Sequence, residues 1–219
     1  EYSLRLQEAP EQLEIRNVLT QELVQNDSNG NPINVQLEFF GSDGAVQTRN
    51  TTDGTVDLAG LPTDQRFAVT VEAGDEFITR QAIIPSVLDQ QTVYLLPQDS
   101  NVTTVEPRFV IEDPSNQFDS ESSEIILQRP ITTNGTTEFV AVAGDRVGLN
   151  GYDVVLEKDQ RYRLVVINPD TGARRQVGEF TPTVSERVEL AGQDGGVDSG
   201  SHVDAPGGTA PPRESEQHP

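Results

Sequence analysis

Histidine, cysteine and carboxylate side chains carry most enzymatic and metal chemistry, and this chain is poor in the first two. Among its 219 residues there are no cysteines and two histidines. Both of these, His202 and His218, lie in a C-terminal stretch rich in glycine, proline and serine. No histidine of the predicted folded part could therefore activate a serine or threonine nucleophile. The same scarcity excludes metal sites built from cysteine or histidine, and we expect no cofactor.

Carboxylates are the remaining candidates for catalysis, because a pair of them can hydrolyse a glycosidic bond. With 36 acidic residues in the chain, some pairs fall at suitable distances by chance. There is no tryptophan, and four tyrosines are the only other side chains suited to stacking on sugar rings. Three of those tyrosines lie on or beside predicted strands. We therefore predict that the chain is not an enzyme.

One loop has the spacing of an oxygen-ligand calcium site. Asp27, Asn29, Asn31 and Glu38 match the first, third, fifth and twelfth ligand positions. Pro32, however, stands where such a loop needs glycine, and Glu38 belongs to a predicted strand. The favoured interpretation is a plain turn at Asn29, with calcium as the alternative.

Four sequons provide possible modification sites. They are Asn26, Asn50, Asn101 and Asn134, each followed at the second position by serine or threonine. Each is predicted to lie at a turn or connector, where an asparagine would accept a glycan if the protein were secreted.

Basic residues concentrate at a single place, with arginines at positions 161, 163, 174 and 175. Arg161, Arg163, Arg174 and Arg175 are expected to pair with carboxylates of neighbouring strands. The alternative is a surface patch that contacts an acidic protein partner.

The formal net charge of −21 indicates which partners and which salt conditions suit the protein. An acidic chain is repelled by nucleic acid and by anionic membranes, so we expect no nucleic-acid binding. Lys158 is the single lysine among 15 basic residues. Many carboxylates with almost no lysine is the composition expected of a protein that is soluble in molar salt, where the Debye length is only about 3 Å. The sequence therefore predicts a high-salt, halophilic environment.

Short alternating segments predict an all-β fold. Strands are predicted at residues 2–6, 35–39, 67–71, 92–96, 108–112, 124–128, 162–166 and 187–190. Turn signals such as Asp43-Gly44 and Asp53-Gly54 separate them. Residues 17–25 could hold one helical turn, within an apparent insertion at 17–32. Such a pattern is typical of antiparallel β-sandwiches.

An internal repeat predicts two units. Asp64-Gln-Arg-Phe67 recurs as Asp159-Gln-Arg-Tyr162, and the match continues without gaps to a Val-x-Leu strand in each copy. We predict two tandem Ig-like or prealbumin-like β-sandwich domains, residues 1–98 and 99–191. Residues 192–219 are predicted to form a disordered acidic tail.

The first unit resembles a known family of modules. Thr51-Thr-Asp-Gly-Thr-Val-Asp-Leu-Ala-Gly-Leu-Pro62, followed by an aromatic-led strand, resembles the carboxypeptidase-regulatory-like (prealbumin-like) β-sandwiches. In that pattern Leu61 closes the end of the sandwich. The chain as a whole is similar to haloarchaeal surface proteins that carry paired modules. The resemblance implies a non-catalytic accessory or surface module.

Together these features predict an extracellular structural or adhesive ectodomain of a halophilic archaeal surface protein. Its partner would be a protein or cell surface, and we expect a membrane anchor outside this stretch. Two alternatives stay open: a spike, turret or tail-associated virion protein of a halophilic virus, and an accessory domain of a secreted hydrolase.

Overall fold

A computed structural model describes residues 12–99, 101–114, 116–133, 135–184 and 187–191. Within these residues the chain is all-β, as predicted, and every regular element is a strand. None of the described segments forms a helix long and apolar enough to cross a membrane. The predicted strand at residues 2–6 and the predicted tail at residues 192–219 lie outside the described residues.

Seven strands form two sheets around one hydrophobic core, and we call this unit the first sandwich. Its strands are β1 (Gln12–Asn17), β2 (Val35–Phe40), β3 (Val46–Thr51), β4 (Thr55–Asp57), β5 (Phe67–Glu72), β6 (Arg80–Ile84) and β7 (Gln91–Leu95). One sheet has the order β4-β1-β7 and the other the order β3-β2-β5-β6. Alternate side chains of β2 and β5 point inward, so Leu37, Phe39, Phe67 and Val71 are buried in the core.

The following strands form a second unit, which we call the second sandwich. They are β8 (Thr104–Val105), β9 (Arg108–Glu112), β10 (Glu124–Thr133), β11 (Thr136–Arg146), β12 (Asn150–Asp153), β13 (Leu156–Glu157), β14 (Tyr162–Ile167), β15 (Arg174–Phe180) and β16 (Arg187–Ala191). Its sheets have the orders β12-β9-β16 and β11-β10-β14-β15, with a short β13-β8 pair beside them.

The two sandwiches share one topology. Replacing β1 to β7 by β9, β10, β11, β12, β14, β15 and β16 converts the sheet orders of the first into those of the second. Phe67 and Tyr162, which the internal repeat matches, begin the equivalent strands β5 and β14. The division into domains at residues 98 and 99 stays a prediction.

The antiparallel arrangement has one exception in each sandwich, a parallel pair of strands. β1 lies parallel to β7, and β9 lies parallel to β16. The first and last strands of each unit therefore run side by side in the same direction, while the other pairs are antiparallel.

The segment predicted to hold a helical turn forms irregular β structure instead. Residues 18–20 make a turn, and isolated bridges join Arg16 to Leu23 and Asn26 to Pro32. The strand β1, just before this segment, was not predicted. Leu61 is buried in the first core, where the resemblance places it.

Candidate functional site

The two sandwiches meet at a junction whose centre is a buried carboxylate. Glu124, the first residue of β10, has no exposed side-chain surface. Arg66 of the first sandwich donates from Nε to Glu124 Oε2 at 2.9 Å, and Arg146 donates from Nη2 to Oε1 at 3.1 Å. Arg146 also donates to the backbone carbonyl of Arg66 at 3.4 Å. One glutamate is thus held by one arginine from each sandwich.

Such a contact is costly to break. A buried carboxylate that loses its partners costs about 3 to 5 kcal/mol, whereas an apolar replacement of a buried ion pair is often neutral. The ion pairs of Glu124 therefore do more to select one arrangement of the sandwiches than to raise overall stability. Any arrangement that moves Arg66 away from Glu124 leaves this carboxylate with Arg146 as its one remaining arginine partner.

Apolar packing surrounds this ion pair. The hydrophobic core of the second sandwich takes in Val18 and Leu96 from the first half of the chain, and Ile78 and Tyr94 pack against it. β11 lies against β5, β6 and β7 of the first sandwich. The two sandwiches are therefore joined by continuous buried surface.

A glycine in β11 permits the close approach of the two sandwiches. A Cβ atom at Gly144 would lie 2.9 Å from the carbonyl oxygen of Ile125 and 3.3 Å from Cγ1 of Ile83 in β6. A small cavity of about 20 Å³ lies between β6, β7, β10 and β11. That volume is about enough for one water molecule.

Three of the four clustered arginines pair with carboxylates. Arg161 and Arg163 both contact Glu179, the latter at 3.0 Å, and Arg163 also stacks 3.6 Å above the ring of Phe139. Burial raises the pKa of Glu179, but hydrogen bonds from Arg163 and Arg161 lower it more, so it lies below its ordinary value.

Arg174 and Arg175 are neighbours on β15, but Arg175 has a carboxylate partner and Arg174 is exposed. Arg175 pairs with the nearly buried Asp113 at 3.2 Å and lies over the ring of Phe118. Arg174 has an exposed side chain on β15. A patch for an acidic partner stays a prediction, and Arg174 is its best-placed member.

The calcium-like loop has its oxygens occupied by the loop itself. Asp27 accepts hydrogen bonds from the backbone amides of Asn29 and Asn31 at 2.9 and 2.7 Å, and from the side-chain amide of Asn31. Glu38 lies in the middle of β2, opposite Thr48 and Thr70, rather than at the loop. In the part of the chain that is described, no group of three histidine or acidic side chains could hold a metal ion.

Asparagines of three sequons are exposed. Asn26 lies beside the Asp27 turn. Asn101 lies in the connector between the sandwiches, where its backbone amide donates a hydrogen bond to the Asp99 side chain. The expected turn position is wrong for Asn50, which lies in strand β3, although its side chain faces solvent. Asn134 lies outside the described residues. Use of any sequon stays a prediction.

The junction itself was not found from the sequence. Glu124 precedes Ile-Ile-Leu, and this pattern is typical of an exposed polar residue at the start of a strand. Arg66 directly precedes another predicted strand, where a charged residue is also expected to face water. The internal repeat gives no signal for this contact either, because Glu124 lies outside the two segments, 64–95 and 159–190, that the repeat aligns.

Comparisons with known proteins give no family assignment. No family model matches the chain, and no curated protein matches it. The resemblance to prealbumin-like modules therefore rests on the sequence motif of the first unit.

Some solved structures are similar at a low level. The Bacillus anthracis TIE protein is 11% identical, with a TM-score of 0.30; the match covers 82% of this chain but only 33% of that one. The shaft pilin SpaA from Lactobacillus rhamnosus GG is 12% identical, with 86% and 98% covered and a TM-score of 0.27. GBS52, the minor pilin of Streptococcus agalactiae, is 11% identical, with 87% and 99% covered and a TM-score of 0.23. At these TM-scores the similarities carry no argument about function.

Proposed function

We propose that this chain is a non-catalytic structural ectodomain in which two β-sandwiches act as one rigid spacer. The observation that carries the proposal is the junction, where Glu124 is held by Arg66 from one sandwich and Arg146 from the other. Two units joined by a flexible linker would have no need to bury a charge between them. A spacer must transmit position from one end to the other, and a buried, oriented ion pair fixes the angle between the units.

The surface chemistry supports a location outside the cell, on a halophilic archaeon. The net charge is −21, a single lysine is present, and cysteine is absent. The ion pairs at the junction and on β14 and β15 use arginine, whose planar guanidinium donates from both Nε and Nη2 to the carboxylate in each pair. Asn26, Asn50 and Asn101 are exposed, so a glycosylation enzyme would reach them in a secreted protein.

The rigidity of the junction can be tested by pulsed electron–electron double resonance, which measures the distribution of distances between two spin labels. The native chain has no cysteine, so Ala45→Cys and Asp170→Cys, both at exposed turn positions, give one labelled pair across the junction. We expect a single narrow distance distribution in the otherwise unchanged protein. Glu124→Gln keeps the size of the side chain but removes its charge, and should broaden that distribution.

Glu179→Gln is the matched control for this experiment. Glu179 also binds two arginines, Arg161 and Arg163, but all three belong to the second sandwich. Its replacement should leave the distance distribution narrow. A broad distribution in the unchanged protein would contradict the rigid spacer, and turnover of a glycan or peptide library by the purified chain would contradict the non-catalytic assignment.

A further inference from the structure

The first and last strands of each sandwich form a pair that tension along the chain would load. β1 and β7 lie side by side and parallel, and their register runs from Leu13 opposite Gln91 to Asn17 opposite Leu95. β9 and β16 repeat this arrangement, again over five paired residues. The chain therefore enters each sandwich on one member of a parallel pair and leaves it on the other.

The parallel direction decides how such a pair responds to tension. The start of its first strand and the end of its last strand lie at opposite ends of the ladder. A force that pulls these two points apart slides one strand past the other. Because interstrand hydrogen bonds run across the strands, all bonds of the ladder then share the load. In an antiparallel pair the same two points would lie at one end, and the bonds would break one after another.

The strands of these pairs are also anchored in the hydrophobic cores. Four apolar side chains of β1 and β7 lie in the first core: Leu13, Ile15, Val93 and Leu95. The ladder extends one residue beyond β1, because the Val18 amide donates to the Leu95 carbonyl oxygen at 2.9 Å. In the second sandwich, Phe109 and Ile111 of β9 are buried in the core. Sliding these strands would therefore withdraw apolar side chains from the core as well as break hydrogen bonds.

We infer that the protein bears tension along its chain, and that the parallel pairs β1–β7 and β9–β16 are the elements that resist it. A load that enters before β1 and leaves after β16 passes through both pairs in series. Other parts of the two units differ, since the β10–β11 hairpin is longer than β2–β3, whereas the terminal pair keeps its length in both. The inference goes beyond the proposed spacer, because a spacer needs stiffness between the units and tension requires strength within each unit.

Pulling single molecules with optical tweezers or an atomic force microscope tests this inference. The native chain has no cysteine, so one cysteine added at each end of the full 219-residue chain provides the two attachment points. We expect two abrupt unfolding events, one for each sandwich. Each event should release about 28 to 30 nm of chain, because each sandwich holds about 84 residues from its first strand to its last.

The same protein pulled in a different direction is the matched control. The exposed turn at Thr52 lies at the same end of the first sandwich as Leu95, because β4 runs antiparallel to β1 and β7 runs parallel to it. Force between Thr52→Cys and the C-terminal cysteine therefore acts across the strands of the first sandwich. That sandwich should unfold at a severalfold lower force and release about 15 nm of chain. The second sandwich should keep its unfolding force.

Substitutions at Glu14 locate the resistance within the first sandwich. The Ile15 amide donates to the turn before β4, and the Val18 amide donates to Leu95 of β7. Successive amides of a strand alternate in direction, so the Glu14 amide faces β7. Glu14→Pro removes this donor and should lower the unfolding force of the first sandwich. Glu14→Ala loses the same side-chain contact with Arg16 but keeps the amide, and should unfold near the parent force.

Gln47→Pro is the control for proline itself, because it lies in the antiparallel β2–β3 pair. The Gly41 amide donates to Ala45, and alternate pairs of an antiparallel ladder are hydrogen-bonded, so the Gln47 amide also faces β2. Gln47→Pro should lower stability in urea but not the unfolding force between the chain ends. The inference is overturned if the first sandwich unfolds at equal force in both directions, or if Gln47→Pro lowers the force as much as Glu14→Pro. The comparison of directions needs no proline, so it decides the matter even if Glu14→Pro does not fold.

Discussion

Arginine is the residue that organises charge in this molecule. The guanidinium groups of Arg146, Arg163 and Arg175 each combine a carboxylate contact with a second one, to another chain segment or to an aromatic ring. A lysine ammonium group has three donors but no planar face or fork, so it could not pair with a carboxylate and stack on a ring in the same way. The near-absence of lysine is thus a structural property as well as a matter of solubility.

The Glu179 carboxylate should give the protein a measurable acid dependence. Its pKa is lower in the folded state than in the unfolded chain, so the stability that it contributes is present above its ordinary pKa of about 4.3 and is lost as the pH falls through its folded value. Glu179→Gln should lower the unfolding midpoint at pH 7 by about 2 to 4 °C. As the pH falls below about 4.3 and through the lowered folded pKa of Glu179, the gap between variant and parent should close.

Melting curves between pH 7 and pH 3 test this expectation. Glu22→Gln, at an exposed position on the loop after β1, serves as the control and should follow the parent at every pH. If the gap for Glu179→Gln were the same at pH 3 as at pH 7, the ion pairs with Arg161 and Arg163 would not be the source of its stability.

Residue types predicted some of the contacts and missed the most informative ones. Pairing of the arginine cluster with carboxylates was the favoured interpretation, and it holds for Arg161, Arg163 and Arg175. Burial of Glu124 and Arg80 could not be predicted, because each stands at the first position of a strand where a charged residue normally faces water. Their burial depends on the packing of one sandwich against the other, which the pattern along a single strand does not contain.

Strands and turns were predictable to different extents. The strands β2 and β5 alternate buried and more exposed residues, β14 begins with such an alternation and continues as an apolar run, and the sequence places all three. β3 and β15 were missed, because they lie at sheet edges and carry mainly polar residues. Edge strands bury little apolar area, so their pairing depends on a neighbouring strand rather than on their own pattern.

The turn at Gly54 is an element where backbone conformation and packing both demand glycine. Its φ angle is +77°, and an added Cβ would lie 3.0 Å from both the carbonyl oxygen of Val24 and the Cβ of Leu23. Gly44 has a φ of +79° with nothing within 4 Å of such an atom, which makes it the matched control. Gly44→Ala should cost about 1 kcal/mol, and Gly54→Ala about 2 to 4 kcal/mol.

Urea unfolding followed by circular dichroism measures both changes. The difference between the two variants isolates the close approach of the loop after β1 to the β3–β4 turn, because their backbone strain is alike. Equal destabilisation by the two substitutions would show that the loop moves aside at no cost and does not define this end of the sandwich.

At the scale of the whole molecule, two similar units are joined without a flexible spacer. The repeat in the sequence predicted the equivalence of β5 and β14, and the structure extends it to the order of strands in both principal sheets. It does not extend to the junction, since Arg66 binds Glu124 whereas its counterpart in the repeat, Arg161, binds Glu179 within its own sandwich. Arg66 thus joins the two sandwiches, whereas Arg161, at the equivalent position of the repeat, stabilises the second sandwich alone.

Repulsion among the charges of the entire chain should make its stability depend on salt. At a net charge of −21, mutual repulsion opposes the compact state in dilute buffer. In molar salt the Debye length falls to about 3 Å, and most of that repulsion is screened. The unfolding midpoint should therefore rise by on the order of 10 °C or more between low salt and 2 M potassium chloride, given that several kcal/mol of repulsion are screened and each shifts the midpoint by about 2 to 4 °C.

A charge-reduced variant makes this test specific. Glu72→Gln, Asp75→Asn, Asp89→Asn and Glu138→Gln together remove four exposed charges and should raise the midpoint at low salt more than at high salt. A midpoint that did not change with potassium chloride concentration in the parent protein would contradict the halophilic assignment. Such a result would not contradict the rigid junction, since the contacts of Glu124 are short-range, buried and little screened by salt.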